Sequence, residues 1–124
     1  MQVAPAALLG MAITAPRILA RRRLDTVRLD AAINGTLHEH WTAARMASLF
    51  AMSVPRFHAR WVELTGTTPL EWLRGRRLDV AARLLRSGRS LEAAAVEVGY
   101  SSASALAFAL RRDRGQSAKA LRKH

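Results

Sequence analysis

The chain has no cysteine in 124 residues, which excludes disulfides and thiolate metal sites and fits a reducing compartment, the cytoplasm. It is short of acids: 9 Asp and Glu stand against 20 Lys and Arg, 18 of them Arg, for a net charge of +11. It is short of Val and Ile, and no run alternates apolar with polar residues, which argues against a sheet. A membrane-length apolar run is also missing. The most apolar stretch, residues 1–20, has no basic segment ahead of it and is interrupted by Pro16 and Arg17, so it suits neither a span nor a signal peptide. No Ser-His-Asp set, carboxylate pair or phosphate loop stands out. His38-Glu39-His40 gathers two imidazoles and a carboxylate, but i, i+2 spacing does not put the histidines on one helix face, unlike His-Glu-x-x-His. No catalysis, metal or cofactor is expected.

What remains is a helix-forming composition dominated by Ala, Leu and Arg, half of it apolar and 6% aromatic, enough to build a packed core. The length suits one compact domain, or two small subdomains that share a helix. The positive charge implies a polyanionic partner, nucleic acid first and an anionic membrane surface second.

Punctuation marks divide the chain into an all-α fold of seven helices, expected at about 25–34, 42–50, 54–64, 69–86, 90–98, 102–113 and 117–122. Gly35, Gly66, Gly88, Gly99 and Gly115 each follow a run with helical spacing. Asp25, Thr42, Ser90 and Ser117 stand at helix starts, and Thr68-Pro69-Leu70-Glu71 is a capping box with Pro at the first helical position. Helix 69–86 is the longest. Its Leu70, Leu73, Leu78, Ala81, Leu84 and Leu85 are expected to face two neighbours at once.

The helices repeat. With a period of 48 residues, Thr42 matches Ser90, Ala47 matches Ala95, Ala51 matches Gly99, Met52 matches Tyr100 and Ser53 matches Ser101; beyond the turn the second copy runs one residue longer. Each unit, 42–66 and 90–115, has a helix-turn-helix outline in which a small residue, Ala47 or Ala95, lets the second helix cross closely. Gly99 permits a positive φ in its turn, whereas Ala51 would be strained there. Two such units joined by a capped helix and carrying +11 point to duplex DNA.

These residues resemble the DNA-binding domain of the AraC/XylS family of transcription regulators over about 25–122. The likeness is carried by Trp72-Leu73, Arg77-Leu78, Ala81 and Leu84-Leu85 in the joining helix, and by Ser90-Leu91, Gly99-Tyr100 and Ser104 in the second unit. Trp41-Thr42, Ala47, Met52-Ser53, Phe57, Trp61, Gly66 and Pro69 carry it in the first. The resemblance implies two helix-turn-helix subdomains bridged by a linker helix, binding promoter DNA through the second helix of each unit. It also implies activation of transcription by contact with RNA polymerase and, with two units on one chain, a monomer on DNA. Residues 1–23 are then an arm without an assigned role and 24–124 the domain; a separate effector domain does not fit in this length, so the chain resembles the smaller stand-alone members of the family or a fragment of a larger gene. Departures from the family pattern fall mostly in the second unit, at Ala105-Leu106, Leu110 and Phe108, where a polar or basic residue is usual, with Ser117-Ala118 beyond it and Ala59 at an often-basic place in the first unit. The rival to DNA reading is a regulator remnant that binds protein partners without specific readout.

DNA-contacting candidates are Ser53, Arg56, His58 and Arg60 in the first unit and Ser101, Ser102, Ser104, Arg111, Arg112 and Arg114 in the second. Arg56 suits bidentate pairing with guanine, and His58 donation to a base or a phosphate. The serines allow close approach but discriminate weakly, and Ser101 is expected to cap its helix. The late arginines suit phosphates or the helix dipole. Phe57, Trp61 and Phe108 are expected in the core, and Trp72 and Leu84 on inward stripes. Arg45, Arg74, Arg76 and Arg77 are further phosphate candidates, Arg77 alternatively an ion-pair partner of Asp79, Glu71 or Glu92. Base reading is therefore expected mainly from the first unit.

Overall fold

All seven expected helices form, each where a side chain at its start accepts a hydrogen bond from a backbone N–H that the helix leaves unpaired. The structure is a computed structural model that describes residues 24–123, so the expected arm at 1–23 lies outside the described residues. The elements are α1 (Thr26–Ile33), α2 (Ala43–Ser48), α3 (Val54–Thr65), α4 (Pro69–Arg86), α5 (Leu91–Val98), α6 (Ala103–Arg114) and α7 (Ala118–Arg122), with no strand among the described residues. Their N-caps are Asp25, Thr42, Ser53, Thr68, Ser90, Ser102 and Ser117. At α4 the capping box closes both ways: the Glu71 N–H donates to Thr68 Oγ1 at 3.1 Å and the Thr68 N–H donates to Glu71 Oε1 at 2.8 Å. The bonds that Thr68 donates to the Glu71 carboxyl, from its backbone N–H first and its hydroxyl second, hold that carboxyl below its ordinary range.

Two cores share α4. The first, under α1 to α3, is aromatic: Phe50 stacks on Phe57 at 5.7 Å, Phe57 lies 5.6 Å from Trp61, and Trp61 meets Trp72 edge-on at 5.3 Å. The second, under α5 to α7, is built from Leu, Ala and Val, with Leu78, Leu85, Val98, Leu106 and Leu110 fully buried. Leu73 belongs to the first core and Leu78 to the second, while Val80 packs against both. The expected stripe of α4 needs one correction: Leu70 is 48% exposed, because the inward stripe at this end of the helix runs through Pro69 and Leu73, spaced i, i+4, and Leu70 lies off it. Trp72 and Leu84 are half-buried at the core margins rather than inside them.

The repeat is structural as well as sequential. The Met52 N–H donates to the Ala47 carbonyl at 3.2 Å, and the Tyr100 N–H donates to the Ala95 carbonyl at 2.9 Å. Ala51 has φ 54°, the only positive φ on a non-glycine among the described residues, and Gly99 has φ 87°. The extra residue of the second copy falls inside its turn, before α6. The cap equivalent to Ser53 is therefore Ser102, whose Oγ accepts from the Ala105 N–H at 3.0 Å, and not Ser101 as expected. From that cap onward the two copies run in step for 12 residues, so Phe57 and Trp61 correspond to Leu106 and Leu110.

The halves meet at the Gly99 turn. A Cβ on Gly99 would come within 2.5 Å of the Leu37 carbonyl oxygen and 3.2 Å of Arg77 Nη2. Arg77 itself donates to the carbonyls of Leu37 and Glu39 at 3.1 and 3.0 Å, tying the loop after α1 to the linker helix. Arg77 thus bonds backbone carbonyls and pairs with none of Asp79, Glu71 and Glu92, because its half-buried position faces that loop. Beside it, burial pushes the Tyr100 hydroxyl pKa up.

Candidate nucleic-acid interface

On α3, Phe57 and Trp61 point inward at i, i+4, so Pro55, Arg56, Ala59 and Glu63 occupy the opposite, exposed face, with His58 and Arg60 exposed on its flanks. The Ser53 hydroxyl is engaged as the α3 cap, accepting from the Arg56 N–H at 3.4 Å. On α6, Leu106 and Leu110 are the buried pair, and the outward face carries Ser104, Phe108 and Arg112. Phe108 is 63% exposed, which overturns its expected core position: it sits midway between the two inward leucines and therefore points away from them. Its ring lies 5.3 Å from the Arg112 guanidinium carbon, and Arg112 also pairs with Asp113, Nε to Oδ1 at 2.8 Å and Nη2 to Oδ2 at 3.3 Å. The pairing holds the Asp113 carboxyl below its ordinary range and raises the Arg112 guanidinium. Ser102 is spent on the helix cap, whereas the exposed Ser101 and Ser104 make no side-chain hydrogen bond among the described residues.

Arginines sort by partner. Arg56 and Arg60 on α3, Arg74, Arg83 and Arg86 on α4 and Arg111 on α6 have no acidic partner among the described residues. Most of the others are occupied. Arg45 pairs with Glu39 and stacks 3.8 Å from the Trp41 ring centroid. Arg76 sits between Asp30 at 2.6 Å and Asp79 at 3.4 Å. Arg114 pairs with Asp79 at 2.8 Å and donates to the Gly75 carbonyl at 3.1 Å, so it fastens the end of α6 to α4. Of the sequence-derived phosphate candidates outside the two groove helices, only Arg74 keeps a guanidinium without such ties.

Sequence reasoning missed one cluster. Arg83, Arg86 and Arg111 gather with Gln116 around two adjoining recesses of about 370 and 530 Å³ where α4, α6 and α7 come together. The spacing of Arg83 and Arg86 was visible, but Arg111 joins them only through tertiary packing. Among the described residues no group of three or more His, Cys, Asp or Glu could hold a metal ion. No single described helix is long and apolar enough to cross a membrane.

A family model described as a helix-turn-helix domain matches residues 46–124. The chain is 42% identical over 85 residues to a Streptomyces antibioticus protein described as an AraC-like transcription regulator, covering 68% of this chain and 28% of that protein. It is 33% identical over 90 residues to the transcriptional regulator AlkR of Acinetobacter baylyi, covering 72% and 29%. This chain therefore spans under a third of the length of these relatives. Among solved structures, the DNA-binding domain of AdpA in complex with a target DNA superposes with TM-score 0.71 at 34% identity, over 78% of this chain and 88% of that one. A DNA-binding transcriptional dual regulator of Escherichia coli K-12 gives 0.69 at 27%, over 77% and 86%. With two matched helix-turn-helix units on one linker helix, the chain belongs to the AraC family of DNA-binding transcription regulators.

Proposed function

We propose that this chain docks on double-stranded promoter DNA with α3 and α6 in successive turns of the major groove on one face of the duplex. The observation that carries the proposal is the equivalence of those helices. Both are 12 residues long, both follow a left-handed turn, and both bury one apolar pair while leaving the opposite face uncovered. A single polypeptide then does what a dimer of one-unit proteins does, and because the exposed faces differ, the site is asymmetric. On the first unit, Arg56 pairs with a base edge, while His58 and Arg60 at the flanks reach bases or phosphates. On the second, Ser101 and Ser104 approach the backbone and bases closely, and Ser53 and Ser102 set the helix entry angles through their caps. Arg74 and Arg111 neutralise phosphates. The protein acts in the cytoplasm as a monomer on DNA and activates transcription through contact with RNA polymerase.

Salt dependence of duplex binding tests this reading. Neutralising about six phosphates gives a log–log slope of about −5. A slope near zero, with no preference among duplex sequences, would instead mark a module that binds protein partners.

A further inference from the structure

Phe108 is a large apolar side chain in the middle of the outward face of α6, opposite the buried pair Leu106 and Leu110. Single exposed apolar residues are common on surfaces, but this one lies on the face that meets DNA in the proposed docking. It is also organised: Arg112, one turn further on, lies against its ring, and Asp113 holds Arg112 from the side. The carboxylate uses the Nε edge of the guanidinium and one hydrogen of Nη2. The opposite, end-on edge, made by Nη1 and the second hydrogen of Nη2, remains open. That edge matches the O6 and N7 acceptors of guanine in the major groove.

We infer that Phe108, Arg112 and Asp113 form a base-reading device, in which the Phe108 ring packs against the C5-methyl of a thymine and Arg112 pairs end-on with a guanine nearby. Asp113 is a positioning residue that fixes the guanidinium before binding. The inference rests on the docking of α6 in the major groove. Four residues of helix rise by about 6 Å, so the two bases lie within about two base pairs of each other. The ring supplies apolar contact, which only the methyl of thymine rewards among unmodified bases. The same geometry accepts 5-methylcytosine, whose methyl occupies the equivalent place.

The test uses the preferred duplex selected from a random pool. Each thymine in the half under α6 is replaced by deoxyuridine, which removes the methyl alone, and each guanine by 7-deazaguanine, which removes N7. The native chain is expected to lose about fourfold in affinity at one thymine, the value of burying one methyl-sized group. It should lose about tenfold at one neighbouring guanine. Phe108→Ala should bind thymine and deoxyuridine duplexes equally, and Arg112→Ala should lose the response to 7-deazaguanine. Asp113→Asn should weaken the guanine response while leaving the methyl response. All three residues are exposed, and unchanged melting temperatures confirm that the variants fold. The inference is overturned if no thymine in that half responds to methyl removal, or if the response persists in Phe108→Ala. If the half-site under α3 is still selected in that case, the docking reading survives; if no sequence is selected at all, both fail.

Discussion

Ala51 and Gly99 stand at the same point of their respective turns, 48 residues apart, and both adopt a left-handed backbone, φ 54° and 87°. Only the second has the residue that this backbone favours. Replacing Ala51 with Gly relieves a left-handed cost of roughly 1–2 kcal/mol and gives back part of it in chain entropy, so a net stabilisation of up to about 1 kcal/mol is expected. Gly99→Ala adds the same cost and drives a Cβ to 2.5 Å from the Leu37 carbonyl, a backbone atom. It should destabilise by at least about 2 kcal/mol. Urea melts of the two variants check both signs.

Trp61→Ala removes the middle of the chain of rings that runs from Phe50 to Trp72 and should cost about 3–5 kcal/mol. Trp72→Ala, at a half-buried position, should cost less. An unchanged melting temperature for Trp61→Ala, with loss of DNA binding, would mean that Trp61 serves the interface instead.

Helix starts and the aromatic pair of α3 were legible because each depends on neighbours within a turn or two, and the repeat because its matched residues recur at one fixed spacing of 48. Thr68 and Glu71 identify their own capping box, and Phe57 and Trp61 their own face. Three things were not legible. The extra residue of the second copy could be placed on either side of the cap from spacing alone, which is why Ser101 was expected where Ser102 stands. Phe108 lies two residues from each of the inward leucines 106 and 110, and a rich apolar run hides which residues form the stripe. The fate of some arginines depends on acids far along the chain: Arg76 finds Asp30, and Arg114 finds Asp79. No local pattern separates those from the uncommitted Arg74 or Arg56.

That sorting gives contrasting outcomes for arginine replacement. Arg56→Ala should cost about 1–3 kcal/mol on the preferred duplex and relax one base position. Arg74→Ala should weaken all duplexes alike and reduce the salt slope by about 1. Arg114→Ala should leave the slope unchanged and instead lower the melting temperature, since its bonds to Asp79 and Gly75 are internal. Fluorescence anisotropy over a salt series, with thermal melts, separates the three.

The capping box makes part of the stability depend on pH. Glu71 titrates below its ordinary 4.5 in the fold, so its contribution is present above about that pH and is lost as the pH falls through the lower folded value. Glu71→Gln keeps an acceptor without a charge and should show a smaller loss of melting temperature between pH 6 and 3 than the native chain. Equal losses would show that Glu71 contributes nothing through its charge.

The most direct measurement of the central claim is selection of bound sequences from a random duplex pool by this single chain. Two unlike helix faces on one linker predict an asymmetric motif of two different blocks, with centres about one helical turn, or 10–10.5 base pairs, apart. A palindromic motif would contradict the account by requiring a dimer with one working unit in each chain, and an unenriched pool would contradict DNA reading altogether.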